Sequence, residues 1–427
     1  MTGPTGTPGA AGSTPSAGRT GRTGSSGSTG TPGTPSVLRA MNDRAALELL
    51  LEHGPLSRTR LGTLTGLSKP TASQLLARLE AAGLVVSTGT STGRPGPNAR
   101  LYAVDPTAAY AAGLDVTPQR IRAAVADLTG RTVGAHELPT PGRRADRPVV
   151  DLVADALDGA LKDAGLARDD VRHLVVGTPG AFDPRTGRLR YAAHLPGWHS
   201  PTLLEDLAAA LPMPVAYEND VNLVAVAEQR LGAARGHRDF VLLWNQEGLG
   251  AALVFGGRLH RGWTGGAGEV GFLPVPGAPL VRQVAKADSG GFQELAGSQA
   301  LPALARQLGV ADVPTGPRAE VAAALVARAA DRADGPHRAF LAAYATRLAT
   351  GLASLVSVLD PELVVLAGAC LTAGGEVLRG LVQAELEELA ASRPQLVVGE
   401  VRESPVLRGA LESALAATRD EVFDTSR

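Results

Sequence analysis

The chain has 427 residues, with 41 basic side chains against 42 acidic ones, one cysteine and only 4 % aromatic residues. A near-neutral balance excludes a uniformly basic nucleic-acid coat, and a single thiol excludes both an internal disulfide and a cysteine-built zinc cluster. A chain this long has room for two or three domains and a sizeable core.

The charge is unevenly spread. Residues 1–104 carry a net +6 and the remainder −7, which fits a polyanion binder joined to a soluble sensor. No long uninterrupted apolar span and no leader-like apolar core stand out, so a reducing cytoplasm is the expected compartment.

Residues 1–36 are Gly, Thr, Ser and Pro with hardly an apolar side chain. Such a segment cannot bury enough surface to offset the entropy of ordering, and a disordered tail is expected. From Val37 to His53, Leu38, Met41, Ala45, Leu49 and Leu50 recur at helical spacing, predicting a support helix that stops at Gly54-Pro55.

The next stretch organises the front of the molecule. Ser57 is suited to cap a short helix from Arg58 to Leu64, and Gly66 supplies the turn, with Leu67 left to be buried. Ser68 then caps a second helix with Pro70 in its first turn, and Gly83 closes it as a left-handed residue. Leu75, Leu76, Leu79 and Ala82 share one side, leaving Thr71, Ser73, Gln74 and Arg78 on the other. Two short helices about a Gly turn suit a helix-turn-helix whose second helix reads base edges. The β-prone runs 84–86 and 101–104 enclose a Gly- and Pro-rich tip, as a wing requires. Ser68, Lys69, Thr71, Ser73 and Gln74 are the candidate base or phosphate contacts, Arg78 a phosphate grip and Arg94 a minor-groove probe. A helical hairpin without any nucleic-acid role is the plainer alternative.

Beyond Asp105-Pro106 the rhythm changes. Strands are expected at 111–116, 121–128 and 132–138, a helix at 149–164, a strand at 171–177, a helix at 203–211, a strand at 215–217 and a helix at 221–231. Strands at 240–244 and 250–255 follow, then helices at 301–308, 319–332 and 337–359, a strand at 363–367, a helix at 376–391, a strand at 396–401 and a last helix from Ala410. This mixture predicts an α/β domain of two lobes with a cleft between them.

The motifs resemble those of the ROK family, which joins sugar-responsive repressors to sugar kinases of the actin-like ATPase fold. At the front the resemblance rests on SRTRLGTLTGLSKPTASQLLARLEAAGLV and the GRP of the wing; at the rear on VVGTPGAFDPRTGRL, LPGW, ENDVNLVAVAE, GLGAALVFGGRLHRGWTGGAGEVGF and LDPELVVLAGA. It implies a winged helix-turn-helix over residues 37–105, followed by a two-lobed ROK domain over 106–427 for effector binding and oligomerisation.

The departures carry as much information. A kinase of this fold needs Gly-rich loops so that backbone amides can close on phosphate. Here the first reads Val116-Thr117-Pro118-Gln119 and the second Gln246-Glu247-Gly248, where Glu247 would repel a triphosphate. Asp220 matches the kinases' general base but would have no phosphoryl donor to serve. The family's zinc-binding His corresponds to Phe272, and its cysteines fall near Ala285, Ala287 and Phe292, so no metal and no cofactor are expected. Phe272 and Phe292 are expected to hold the Gly290–Glu294 loop by packing.

Asn219, Asp220, Glu269 and Glu294 match family positions that hydrogen-bond hexose hydroxyls, while Asn219 and Asp220 could equally cap the helix after them. His194, His199 and Trp198 fall near the expected pocket mouth, with ordinary loop packing as the alternative. The reading is a repressor of carbohydrate-related genes, not an enzyme, acting as a homodimer or tetramer on an inverted-repeat operator under a small sugar-like effector. A sugar kinase with an added DNA-binding domain and a regulator whose rear domain only dimerises are the alternatives.

Overall fold

The structure, a computed structural model, describes residues 35–90, 99–140, 147–183, 186, 188–190, 195, 197–198, 200–282, 290–332 and 335–425. Residues 1–34 of the expected tail and the tip of the wing, Arg94 included, lie outside the described residues, as do His194 and His199, while residues 35 and 36 open the first helix instead.

The front unit runs α1 (Pro35–His53), β1 (Leu56–Ser57), α2 (Arg58–Thr65), α3 (Lys69–Ala81), β2 (Val85–Thr90) and β3 (Arg100–Val104). Its helix ends are set locally. Ser57 Oγ accepts from Arg60 N at 3.2 Å, Ser68 Oγ from Thr71 N at 3.4 Å, and Gly66 turns at φ 72°. Behind α3, Gly83 takes φ 70° and Leu84 N donates to Leu79 O, closing the last turn. β3 pairs antiparallel with both β1 and β2, making the small sheet that carries the wing.

Two expectations need correcting here. On α1 the buried stripe is Asp43, Ala46, Leu47 and Leu50, whereas Leu38 and Met41 are 53 % and 62 % exposed. The predicted set mixed two neighbouring stripes of one helix. Ala82 is exposed because the helix has already ended and Ala82 is its cap.

Two sheets of like topology follow. The first lobe has β4 (Tyr110–Val116), β5 (Arg120–Asp127), β6 (Thr132–Pro139), α4 (Val149–Ala164), β7 (Val171–Thr178), the hairpin β8 (Ala181–Asp183) and β9 (Arg188–Arg190), α5 (Leu203–Ala210), β10 (Val215–Asn219) and α6 (Asp220–Leu231). The second has β11 (Phe240–Asn245), β12 (Leu249–Phe255), β13 (Arg258–Leu259), α7 (Gly291–Ala296), α8 (Leu301–Gln307), α9 (Arg318–Asp331), α10 (Gly335–Leu359), β14 (Leu363–Ala367), α11 (Ala369–Leu389) and β15 (Gln395–Val398), after which α12 (Pro405–Val422) returns to pack on β4 and β7 of the first. Strand order is β10-β7-β4-β5-β6 in one and β13-β12-β11-β14-β15 in the other. Each joins an antiparallel meander to two parallel strands through one shared central strand.

α11 begins at Ala369, earlier than its periodicity predicts, because a kink at Gly375 breaks the pattern, and α12 begins at Pro405. α10 is long and apolar enough to span a bilayer by length and composition alone. Its Phe340, Leu341, Tyr344, Leu348, Leu352 and Val356 are buried in the second lobe's core, which accounts for that apolarity.

Between the two sheets lie α6 and α12. Their Leu223, Val224, Ala410, Ala414 and Leu415 share one core with Ala111 and Val175 of one sheet and Phe240, Leu242 and Val365 of the other. The crossing is close: a Cβ on Gly409 would sit 1.8 Å from Leu223 O, and one on Gly113 would sit 2.8 Å from Leu411 N. Gly409→Ala must therefore force the two helices apart, and a loss of about 3 kcal/mol is expected in urea unfolding. A variant as stable as the parent would show that α6 and α12 separate there without cost.

Candidate DNA-reading surface and effector cleft

Ser68, Lys69, Thr71, Gln74 and Arg78 are all exposed on α3, and Ser73 is half-buried beside them. The Ser68 and Thr71 hydroxyls lie 2.8 Å apart and finish the cap. Ser73 Oγ donates to Lys69 O at 2.9 Å and accepts from Arg58 Nη1 at 3.0 Å, so α2 adds a cation to this face that sequence reasoning did not single out. Arg78 is not simply a free grip: its Nη2 donates to Asp43 Oδ1 at 2.6 Å. At the wing's base Arg100 pairs with Glu80 at 2.7 Å and lies over the Tyr102 ring.

The cleft is built from strand ends and one helix start. Asp115 is the last residue but one of β4, Gly177 pairs with both Asp115 and Glu218, and Thr178 pairs with Asn219. That register brings Asp115 and Asp220 to one edge. From the second lobe, the segment after β13 carries Glu269 toward them. Burial pushes Asp220 up to about 7, opposed by the Val221 amide it accepts from and reinforced by the charges of Asp115 and Glu269. Asp115 is pushed up to about 6 by burial against the pull of Arg122 and Arg120, and burial also raises Glu269. Asp115 was passed over in the sequence as the residue before a lost loop. Only the sheet register shows it facing Asp220.

Asn219 is chiefly structural. Its Oδ1 accepts from Val221 N at 2.9 Å and Asn222 N at 3.1 Å, and its Nδ2 donates to Gly180 O at 3.0 Å, leaving one amide hydrogen for a ligand. Glu294 is exposed on α7. Glu218 accepts from Arg261 Nη2 at 2.6 Å and from Asn222 Nδ2 at 2.8 Å, tying the lobes together. Near that bridge Gly265, at φ 78°, brings its backbone against Phe182 O, where a Cβ would come within 2.0 Å. Trp198 is 4 % exposed, stands edge-on to Tyr217 at 6.3 Å and lines a small cavity with Phe182, Leu203 and Tyr217.

The two altered phosphate loops are occupied by their own side chains. Thr117 N and Oγ1 both donate to Arg120 O, at 2.9 and 3.0 Å, drawing the first loop into a tight turn. In the second, Gln246 Oε1 accepts from Ala369 N at 3.0 Å, filling an amide at the start of α11 that an anion would use, and Glu247 is exposed beside it. Phe292 is fully buried, its ring set against Gly351 of α10, where a Cβ would lie 2.2 Å away. That contact packs α7 against α10. Among the described residues no group of three His, Cys, Asp or Glu side chains could hold a metal ion, and Ala285 and Ala287 lie outside them.

Residues 42–94 match the profile of the MarR family and residues 111–417 that of the ROK family. The chain is 29 % identical to a glucokinase of Streptomyces coelicolor over 279 residues, 62 % of this chain and 84 % of that one. It is 24 % identical to a xylose repressor of Caldicellulosiruptor bescii over 336 residues, 78 % of this chain and 84 % of that one. Among solved structures, one described as a ROK family transcriptional regulator, homolog of the E. coli MLC protein, superposes with a TM-score of 0.69 at 18 % identity, covering 91 % of this chain and 97 % of its own. With an actin-like pair of lobes behind a winged helix-turn-helix, and a matching profile over most of its length, the chain belongs to the ROK family.

Proposed function

We infer that this protein is a DNA-binding transcriptional regulator, of the repressor kind, that responds to a small polar, sugar-like effector. The observation that carries the reading is the exposed start of α3 in a capped helix-turn-helix, on a chain whose rear half is a ROK domain. Residues 37–105 are the reader and 106–427 the sensor. The effector is assigned to the cleft lined by Asp220, Glu269, Glu294 and the spare amide hydrogen of Asn219, with Asp115 added. Carboxylates and amides suit vicinal hydroxyls.

The rear domain is read as a non-catalytic clamp in the cytoplasm, acting as a homodimer or tetramer on an inverted repeat. In support, the first phosphate loop is a tight turn and the second spends its glutamine on α11. Control follows if the effector prefers one arrangement of the lobes over another.

Genome-wide binding followed by selection on random duplexes tests the reader. Gln74→Ala is expected to cost roughly 1–3 kcal/mol on the selected operator and to relax sequence choice, and Arg94→Ala to weaken the preference for a narrow minor groove. Unchanged affinity and choice in both variants would remove α3 and the wing as reading elements. For the sensor, a thermal-shift screen against sugars should find one that raises the midpoint and releases the operator. Rapid phosphorylation of a hexose with ATP would instead establish the kinase reading.

A further inference from the structure

Asp43 is a charge where none is expected. It sits on the inner stripe of α1 among Ala46, Leu47 and Leu50, and is 4 % exposed. A buried carboxylate persists only when its oxygens are hydrogen-bonded. Oδ1 accepts from Arg78 Nη2 at 2.6 Å, and Oδ2 accepts from Thr425 Oγ1 at 3.2 Å, from a residue 382 positions away. Arg78 stands one turn beyond Gln74 on the face of α3 read as facing DNA, and 41 % of its side chain is exposed.

Thr425 does not reach Asp43 by accident of a loose end. Phe423, 1 % exposed, lies in the front unit's core with Leu47, Leu50 and Leu79. Arg44 of α1 pairs with Asp420 of α12, and the Arg419 guanidinium donates twice to Leu128 O, at 3.1 and 3.0 Å. The other end of α12 rests on α6 and β4, the elements that carry Asp220 and Asp115. One helix thus runs from the cleft to the reader.

We propose that Asp43 is a positioning residue for DNA binding: it aims Arg78 at a backbone phosphate and is itself held by Thr425, so the segment that ends α12 sets that contact. This rests on the reading that α3 faces duplex DNA. An exposed arginine loses rotamer freedom when it grips a phosphate, and a carboxylate that fixes it beforehand lowers that cost. The alternative is that Asp43 only neutralises Arg78. The two predict opposite signs, because removing a negative charge beside DNA strengthens binding unless that charge is holding a contact in place.

The test uses the full chain and a 30-base-pair random-sequence duplex, with affinity followed by anisotropy across a salt series. Arg78→Gln should lower affinity about three- to tenfold and reduce the slope of log affinity against log salt by about 0.9, one phosphate. Asp43→Asn should fall in the same direction, with no further loss in the double variant. Thr425→Val, which keeps shape and removes the hydroxyl, should lower affinity about twofold and add nothing to Asp43→Asn. Tighter or unchanged binding by Asp43→Asn overturns the proposal. So does a Thr425→Val chain indistinguishable from the parent, which also decides the matter should Asp43→Asn not fold. A parent chain that binds no duplex at all fails the DNA reading instead, and is separable from either result.

Discussion

Replacing Asp220 by Asn is expected to stabilise the protein at pH 8 by about 2–4 kcal/mol, and to make almost no difference near pH 4. The group stands at about 7 in the folded chain against an ordinary 3.8, chiefly because burial disfavours its charge. Above pH 7 both states are ionised and the folded one bears the full cost. As the pH falls from 7 to 4 the folded group takes up its proton before the unfolded one, so the cost shrinks. Asparagine keeps the Oδ1 that accepts from Val221 N at 2.8 Å and removes the charge facing Asp115 and Glu269. The upper figure is the whole shift, and the lower allows for water at the cleft. Urea unfolding of both proteins at pH 8 and pH 4 measures it. Equal stability at pH 8 would mean that Asp220 is well solvated and the three carboxylates do not crowd. Such a cost is expected of a binding group kept for its ligand, since hydroxyls that solvate the carboxylate would relieve it.

Glu228→Ala is expected to act in the opposite direction, lowering stability by about 3–5 kcal/mol in urea unfolding. Glu228 is fully buried at the far end of α6, and its carboxylate accepts from Ala233 N at 2.8 Å, Val401 N at 2.9 Å and Glu400 N at 3.2 Å. It joins the end of the first repeat to the segment between β15 and α12. The approach needs glycine on both sides: a Cβ on Gly232 would lie 2.1 Å from Oε2, and one on Gly399 would lie 2.8 Å from Oε1. Alanine leaves three amides without their acceptor, two of them on the segment that feeds α12. Glu228→Gln, which keeps one oxygen and turns an N–H toward donors, should fall between the parent and alanine. An alanine variant within 1 kcal/mol of the parent, on the scale of a single hydrogen bond, would show that water replaces the carboxylate there. Losing this anchor should also loosen α12 and, with it, the coupling of cleft to reader.

The front unit was largely legible because its signals are short-ranged. Ser57, Gly66, Ser68, Pro70 and Gly83 each act within four residues of themselves, and each takes the expected role. The same reasoning misassigned the buried stripe of α1, where several alanines and leucines lie on adjacent faces and only the partner decides between them. In the cleft, Asp220 and Glu269 were found through motifs, but Asp115 was overlooked, since nothing near it in the chain marks it as acidic-site material. The helix start at Ala369 was missed because glycines at 374 and 375 interrupt the apolar period across a kink.

What the chain determined alone is the order of its parts: a basic reader with capped helices, then alternating strands and helices, with Val116–Gln119 and Gln246–Gly248 where glycine-rich loops were sought. Those properties come from steric preference, periodicity and residue chemistry, which act over a few positions. Tertiary structure alone decided which charges meet. The sheet register sets Asp115 by Asp220, two glycines let Glu228 reach three amides, and α12 brings Thr425 to Asp43. Contacts of that kind depend on where distant backbones cross, and a crossing leaves no local trace beyond the small residues that permit it.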